Sequence, residues 1–261
     1  MLHQPLSSDA RLLRRHGPGH RTAAVCFHHA GGGMSAYRGW AEQLAPHLDV
    51  VLVQLKGRED RTAEPLTDDL GDLAVRIARD ICGMPYDDLV LVGHSMGATI
   101  AWAVADAIWA VYRRRVRVVL SAQAPPPYTD RIGPVGRQPV GEVRHGRTVD
   151  VSGAVGDALT SAADAFHSDI LAADLAWMSR EFPALVPRPL PVDLYCVAAG
   201  QDPLLAPEDM AGWASLTTGH FSQRTVPGGH MYLLTDPTPV LGLVETLAAQ
   251  GSTDRTVGHV R

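Results

Sequence analysis

An α/β fold built on a mostly parallel central sheet is what this sequence predicts, and three observations predict it. Short apolar runs alternate with helix-length segments from Ala23 to Ala249, the pattern of successive βαβ units. Those runs do not alternate with polar residues, as strands buried on both faces require. The pentapeptide Gly93-His94-Ser95-Met96-Gly97 lies between one such run and a long helical stretch, where a strand turns sharply into a helix and leaves the serine exposed above the sheet.

Taken in order, residues 1–22 form an N-terminal extension. Arg11, Arg14, Arg15 and Arg21 interrupt it, so it lacks the continuous apolar core of a signal peptide. Ala23–Phe27 is the first strand, followed by a helix over Ala36–Leu44. Val50–Val53 is the second, followed by a helix over Leu70–Ile81, and Leu89–Val92 the third, followed by a helix over Ala98–Tyr112. Val116–Ser121 and Val192–Ala198 supply two more strands, Phe221–Val226 the last, and Val240–Ala249 the closing helix. Between Ser121 and Val192 lies a segment too long for one crossover. This insertion, about 124–187, opens with Ala124-Pro125-Pro126-Pro127-Tyr128 and carries Gly133-Pro134, Gly136 and Pro139, so it begins as irregular loop. Residues 156–163 and His167–Phe182 then carry helical patterns, the latter with Ile170, Leu171, Leu175 and Met178 at helical spacing. Because it leaves the sheet at the carboxyl ends of the strands, the insertion is expected to form a partly helical lid over the site. Residues 251–261 are polar and patternless, and a disordered tail is expected there. One domain then spans 23–250.

The bulk properties fit a soluble globular enzyme. At 261 residues, with 46% hydrophobic and 20% charged residues, the chain can form one large core, since single cores grow to roughly 250–300 residues before splitting. A net charge of −5 offers nucleic acid or an anionic membrane no general attraction, and no apolar run approaches the roughly 18 residues of a membrane span. Cys26, Cys82 and Cys196 lack C-x-x-C spacing, and two fall in strands, so reduced buried thiols in a cytoplasmic setting are expected. No surface feature demands more than a monomer.

The chemistry is carried by residues that follow strands. Serine is a poor nucleophile at neutral pH unless an imidazole takes its proton and a carboxylate orients that imidazole. Ser95 in the Gly-x-Ser-x-Gly turn is the candidate nucleophile, and the amide of Met96, opening the next helix, is a candidate donor to an oxyanion. Strand Val192–Ala198 leads into Gly200-Gln201-Asp202-Pro203, which presents Asp202. Strand Phe221–Val226 leads into Pro227-Gly228-Gly229-His230, whose glycines let His230 fold back over the sheet. The order Ser, Asp, His is that of α/β-hydrolases. The loop after Phe27 reads His28-His29-Ala30-Gly31-Gly32-Gly33, and Ala30 is the candidate second oxyanion donor. His94 is expected to pack against the top of the sheet rather than act as a base. His28 and His29 have no third ligand at zinc spacing, so no metal is expected, and no cysteine sits on an activating turn.

On these segments the chain resembles the type II thioesterases that accompany polyketide synthases and nonribosomal peptide synthetases. The resemblance is carried by Cys26-Phe27-His28-His29-Ala30-Gly31-Gly32, by Gln54-Leu55-Lys56-Gly57-Arg58-Glu59-Asp60-Arg61, by Gly93 to Ala98, by Gln201-Asp202-Pro203-Leu204, and by Trp213 through His230. It implies an α/β-hydrolase with a helical lid that releases acyl groups from the phosphopantetheine arm of an acyl or peptidyl carrier protein, without a cofactor of its own. It makes Ser95, His230 and Asp202 the triad and the Ala30 and Met96 amides the oxyanion hole. Integrated terminal thioesterase domains place their acid after the strand that follows the elbow helix, where this chain has Ser121-Ala122-Gln123 and no carboxylate. His28 and Lys56 stand where the family usually has proline. Arg58, Glu59 and Asp60 are expected to brace their loop as an ion-pair network, and Arg113, Arg114, Arg115 and Arg117 to be solvated rather than a docking face. The competing readings are an off-loading acyltransferase that uses a hydroxyl or amine in place of water, a non-catalytic carrier-binding module, and a lipase or carboxylesterase.

Overall fold

The structure, a computed structural model, describes residues 11–127, 142–144, 147–149 and 166–257. Seven strands form one sheet: β1 (Leu13–His16), β2 (Thr22–Phe27), β3 (Asp49–Val53), β4 (Asp88–His94), β5 (Arg117–Ser121), β8 (Asp193–Ala199) and β9 (Phe221–Val226), in the spatial order β1-β3-β2-β4-β5-β8-β9. All neighbours pair in parallel except β1, which runs antiparallel to β3. Two short strands, β6 (Glu142–Arg144) and β7 (Arg147–Val149), pair with each other apart from this sheet.

Consecutive residues of each central strand feed two cores. Ala23, Val25 and Phe27 of β2 join Leu89 and Leu91 of β4 and Val118 and Leu120 of β5 in a core covered by α2 (Leu70–Cys82) and α3 (Met96–Tyr112). Ala24 and Cys26 join Val90, Val92 and Val119 on the other face, beneath α1 (Trp40–Leu44) and α6 (Thr238–Val257). Burial on both faces is why these strands read as unbroken apolar runs. The amphipathic α2 starts at Asp69, whose carboxylate accepts the Asp72 N–H at 3.1 Å, and buries Leu70, Leu73, Ala74, Ile77 and Ile81.

Three differences from the expected elements have physical reasons. The N-terminal extension contributes β1, an edge strand whose Arg14 pairs with Asp60 and whose Arg15 pairs with the buried Asp49; none of its four residues is buried and two are exposed, which hides it from an apolar-run search, and the sheet begins before residue 23. The helix expected over Ala36–Leu44 is split into a 3₁₀ turn, Met34–Tyr37, and α1, because Gly39 between them takes φ +87°. The closing helix begins at Thr238 and its backbone continues to Val257, into the stretch expected as tail. Glycine costs a helix about 1 kcal/mol without ending it, and Gly251 is passed. Of the insertion, helix α4 (Phe166–Glu181) is described, and a second short helix, α5 (Tyr232–Thr235), precedes α6; the helix expected over 156–163 lies outside the described residues.

The second half of α4 is built into the body of the protein. Trp177 and Phe182 are buried, the Trp177 Nε1–H donates to Asp68 O at 2.7 Å, and the Leu70 N–H, at the start of α2, donates to Glu181 Oε2 at 3.0 Å.

Candidate active site

From Leu89 to Ala105 every residue is buried except Ser95. That pattern follows from the turn between β4 and α3. Ser95 sits at φ +53°, ψ −123°, a conformation that costs a residue with a Cβ about 1–3 kcal/mol. Its N–H is held by Ser121 O at 2.9 Å, at the end of β5. The flanking glycines let chain pass chain: a Cβ on Gly93 would collide with the backbone of Gly97, and one on Gly97 would collide with the carbonyl of Phe27 and lie 2.6 Å from that of His28. The elbow is thus pressed against the start of the loop that carries Ala30.

Asp202 and His230 arrive from the neighbouring strand ends, and their loops are tied together. The Gln201 N–H donates to Gly228 O at 2.9 Å, while the Gln201 side chain accepts the Gly228 N–H. Gly228 itself takes φ +107°. The Asp202 side chain is 1% exposed, its Oδ1 accepts the Leu204 N–H at 2.8 Å, and its Oδ2 lies 2.7 Å from His230 Nδ1. His230 Nε2 is 2.9 Å from Ser95 Oγ. With the Nδ1 proton directed at the carboxylate, Nε2 is left to accept from the serine hydroxyl, so one proton-transfer path runs Ser95, His230, Asp202. The structure brings together all three residues that the sequence singled out.

The candidate oxyanion donors lie on the two segments that meet at the elbow. Met96 is the first residue of α3, so its amide is among those of the first turn without an intrahelical acceptor. Ala30 is buried in the loop after β2, whose first residues touch Gly97. Beneath them lies a hydrogen-bonded layer absent from the sequence reading: His94 Nδ1 is 2.8 Å from Ser121 Oγ, which is 2.7 Å from the Tyr232 hydroxyl. His94 is fully buried, with its ring centroid 5.6 Å from that of His230, 5.8 Å from that of Tyr232 and 6.1 Å from that of His29. It packs under the triad, as expected for a side chain pointing away from the serine. The position of Ser121 at a strand's carboxyl end was the available signal for this layer.

Burial pushes the Cys196 thiol up to about 12 and Cys26 higher still, so neither forms a thiolate at neutral pH. Burial also holds His94 and His28 well below the ordinary histidine range; the charges of His230 and His29 add to this at His94, and that of Arg58 at His28. These two rings stay neutral in the folded protein and charge in the unfolded chain, so below about pH 6.5 the unfolded state binds more protons and stability falls with pH. Urea unfolding is expected to give a flat stability between about pH 7 and pH 8, below the range in which the buried thiols of Cys26 and Cys196 would ionise in the unfolded chain, and a decline of up to about 1.4 kcal/mol per pH unit for each ring between about pH 6.5 and pH 5. A flat profile across that window would remove the buried neutral rings as its basis.

The Gly-Arg-Glu segment is a brace with a wider reach than expected. Asp60 pairs with Arg14, and Glu59 accepts from the Ser35 N–H and Gln54 Nε2, each at 3.0 Å. Arg58 reaches Asp174 on α4, with Nη1 to Oδ2 at 2.7 Å and Nη2 to Oδ1 at 2.5 Å. Nothing in the sequence pointed to Asp174.

Residues 23–248 match the thioesterase domain family. The chain is a member of that family. Among proteins similar to this thioesterase, a probable cadicidin biosynthesis thioesterase of Streptomyces griseus is 33% identical over 92% of this chain and 66% of its own length. Thioesterase PikA5 of Streptomyces venezuelae is 31% identical over 89% of this chain and 84% of its own. Among solved structures, the type II thioesterase BorB from the borrelidin biosynthetic cluster superposes with a TM-score of 0.70 at 26% identity, covering 91% of this chain and 96% of that one. This thioesterase is accordingly a hydrolase of acyl thioesters with the α/β-hydrolase fold. Among its described residues, no helix is long and apolar enough to cross a membrane.

Proposed function

We propose that this thioesterase cleaves acyl groups from the phosphopantetheine thiol of an acyl or peptidyl carrier protein, clearing stalled or aberrant units from a polyketide or nonribosomal peptide assembly line. The observation that carries the reading is the unbroken hydrogen-bonded path from Ser95 through His230 to Asp202 at a strained elbow, in a chain whose relatives are named as thioesterases, one of them a probable cadicidin biosynthesis thioesterase. Ser95 Oγ attacks the thioester carbonyl carbon as His230 Nε2 takes its proton. The Ala30 and Met96 amides hold the oxyanion of the tetrahedral intermediate. The C–S bond then breaks, and His230 returns the proton to the departing sulfur. Water adds to the acyl-serine with His230 again as base, and collapse releases the carboxylic acid and regenerates the serine. Asp202 keeps the imidazole in the tautomer that both halves need. The sequence of steps balances without a cofactor, since the pantetheine arm belongs to the substrate.

The lid expected of the insertion lies largely outside the described residues; its described helix α4 packs on the loop after β2, with Leu171 against Gly31. In this reading the arginine run is solvated surface rather than the docking face. Arg113 ends α3, whose 17 residues begin beside Ser95, so the run stands about 25 Å from the nucleophile at 1.5 Å per residue. Arg114 is also engaged with Tyr86 O at 2.9 Å, and Arg113 stacks over Trp109.

The test is mass spectrometry of carrier proteins loaded with a series of acyl groups and incubated with the enzyme. Free acid and deacylated carrier are the expected products. Activity confined to simple oxoesters, with every loaded carrier left intact, would overturn the carrier assignment, and a cyclised or transferred product would put an organic nucleophile in place of water.

A further inference from the structure

We infer that Asp174, on the insertion's helix α4, is a positioning residue for the oxyanion loop, acting through Gly31 and Arg58. The inference rests on the assignment of Ala30 as an oxyanion donor. The loop it would hold contains Gly31, Gly32 and Gly33 in succession, the residues with the most backbone freedom to lose, whereas an oxyanion donor has to be held within about 0.5 Å of its working place.

The local geometry identifies the motion that needs restraint. The Gly32 N–H donates to His29 O at 3.1 Å, closing a turn with Ala30 and Gly31 at its centre, and Gly31 takes φ +77°. This is the backbone of a type II turn, and such a turn converts to other forms by rotation of its central peptide. The central peptide here joins Ala30 to Gly31, and its N–H donates to Asp174 Oδ2 at 2.8 Å. Rotation of that peptide would replace the N–H with the Ala30 carbonyl and set an oxygen against a buried carboxylate. The carbonyl two residues on is fixed by the same pair of side chains: Arg58 Nη1 donates to Gly32 O at 2.9 Å as well as to Asp174. Arg58 Nε donates to Lys56 O at 3.0 Å.

Arg58 is 2% exposed and Asp174 0%. A buried ion pair is a poor source of stability compared with an apolar pair of the same volume, but an apolar pair cannot hold an amide and a carbonyl of the loop in fixed directions. The carboxylate's own mount is rigid. Leu171, one turn earlier on α4, packs on Gly31 so closely that an added Cβ would lie 3.2 Å from its own. Trp177 and Glu181 bond the same helix to the start of α2. The insertion's helix therefore forms one side of the oxyanion hole's support, and its placement and the reactivity of Ser95 are coupled.

The experiment is steady-state hydrolysis of a soluble acyl N-acetylcysteamine thioester, together with the rate of fluorophosphonate labelling of Ser95. For Asp174→Asn, kcat is expected to fall about 10- to 100-fold, the scale on which small misplacements of a catalytic group act, with KM within about twofold and labelling slowed in parallel. Because an uncompensated Arg58 can unfold the chain, the charge-neutral pair Arg58→Met/Asp174→Leu is made as well. It is expected to unfold cooperatively near the wild-type midpoint and still to lose kcat, since the Gly31 amide and Gly32 carbonyl have no partner in it. Wild-type kcat and labelling in either folded variant, or a change in KM alone, would overturn the inference. Ser95→Ala in the same assay keeps the two readings apart. Release abolished there but untouched in Asp174→Asn removes only the role of Asp174, whereas release that persists without Ser95 removes the nucleophile on which that role depends.

Discussion

Ser95→Ala is expected to lower acid release by about 10⁶-fold, the scale seen when the nucleophile of a serine hydrolase is removed, while leaving the fold intact. Ser95 is the one half-buried residue of an otherwise buried segment, and its hydroxyl's hydrogen bond in the structure is to His230. Stability should respond to the backbone rather than to the hydroxyl. At φ +53° any Cβ is strained, so Ser95→Ala retains the strain and Ser95→Gly relieves it. Relief of about 1–3 kcal/mol outweighs the roughly 0.5–1 kcal/mol that glycine loses in backbone entropy. Ser95→Gly is therefore expected to be as inactive as Ser95→Ala and to melt at a higher temperature. Acid release by Ser95→Ala within about tenfold of wild type would place the nucleophile elsewhere, because loss of a true nucleophile is far costlier.

Gly97→Ala is expected to have the largest effect for the fewest atoms. The added methyl would run into the carbonyl of Phe27 and crowd that of His28; both are backbone, and neither can rotate away as a side chain can. Overpacking in a rigid core costs typically 1–3 kcal/mol and occasionally more, and this site belongs at the upper end. For a chain of this size, a loss of about 3 kcal/mol lowers the melting temperature by about 10 °C. Relief by movement of β2 would carry the following loop with it, so Ala30 would shift relative to Ser95 and labelling by a fluorophosphonate would slow even in protein that remains folded. A melting temperature within about 2 °C of wild type would show that β2 and α3 do not pass as closely as described, since a genuine clash of this size displaces it further.

How legible each part was depends on how local its cause is. Ala23–Phe27 and Phe221–Val226 were readable within a residue because both flanks of those runs are broken by polar or turn residues and the strands themselves are apolar or pair at a fixed place in a βα pattern. Ser95 was readable because the elbow's requirements, two close-packed glycines around a strained residue, fall within five positions. Asp202 and His230 were readable because parallel strands all deliver their following loops to one edge, so a residue's place just after a strand fixes its place in space. β1 was hidden because none of its four residues is buried and its arginines belong to ion pairs with Asp60 and Asp49, whose partnership no local pattern announces.

The sequence by itself determined the order of the six parallel strands and their main helices, the strained serine, the carboxylate and histidine that join it, and the family, since each is written in neighbouring residues or in a period of burial. Tertiary structure alone decided the layer of Ser121, Tyr232 and His94 beneath the triad and the pairing of Arg58 with Asp174, residues 116 positions apart. A buried charge is viable only beside its partner, and which partner it meets is set by where α4 docks on the loop after β2. That docking is the outcome of packing Leu171, Trp177 and Phe182 against the core, a sum over many weak contacts that no single stretch of the chain encodes.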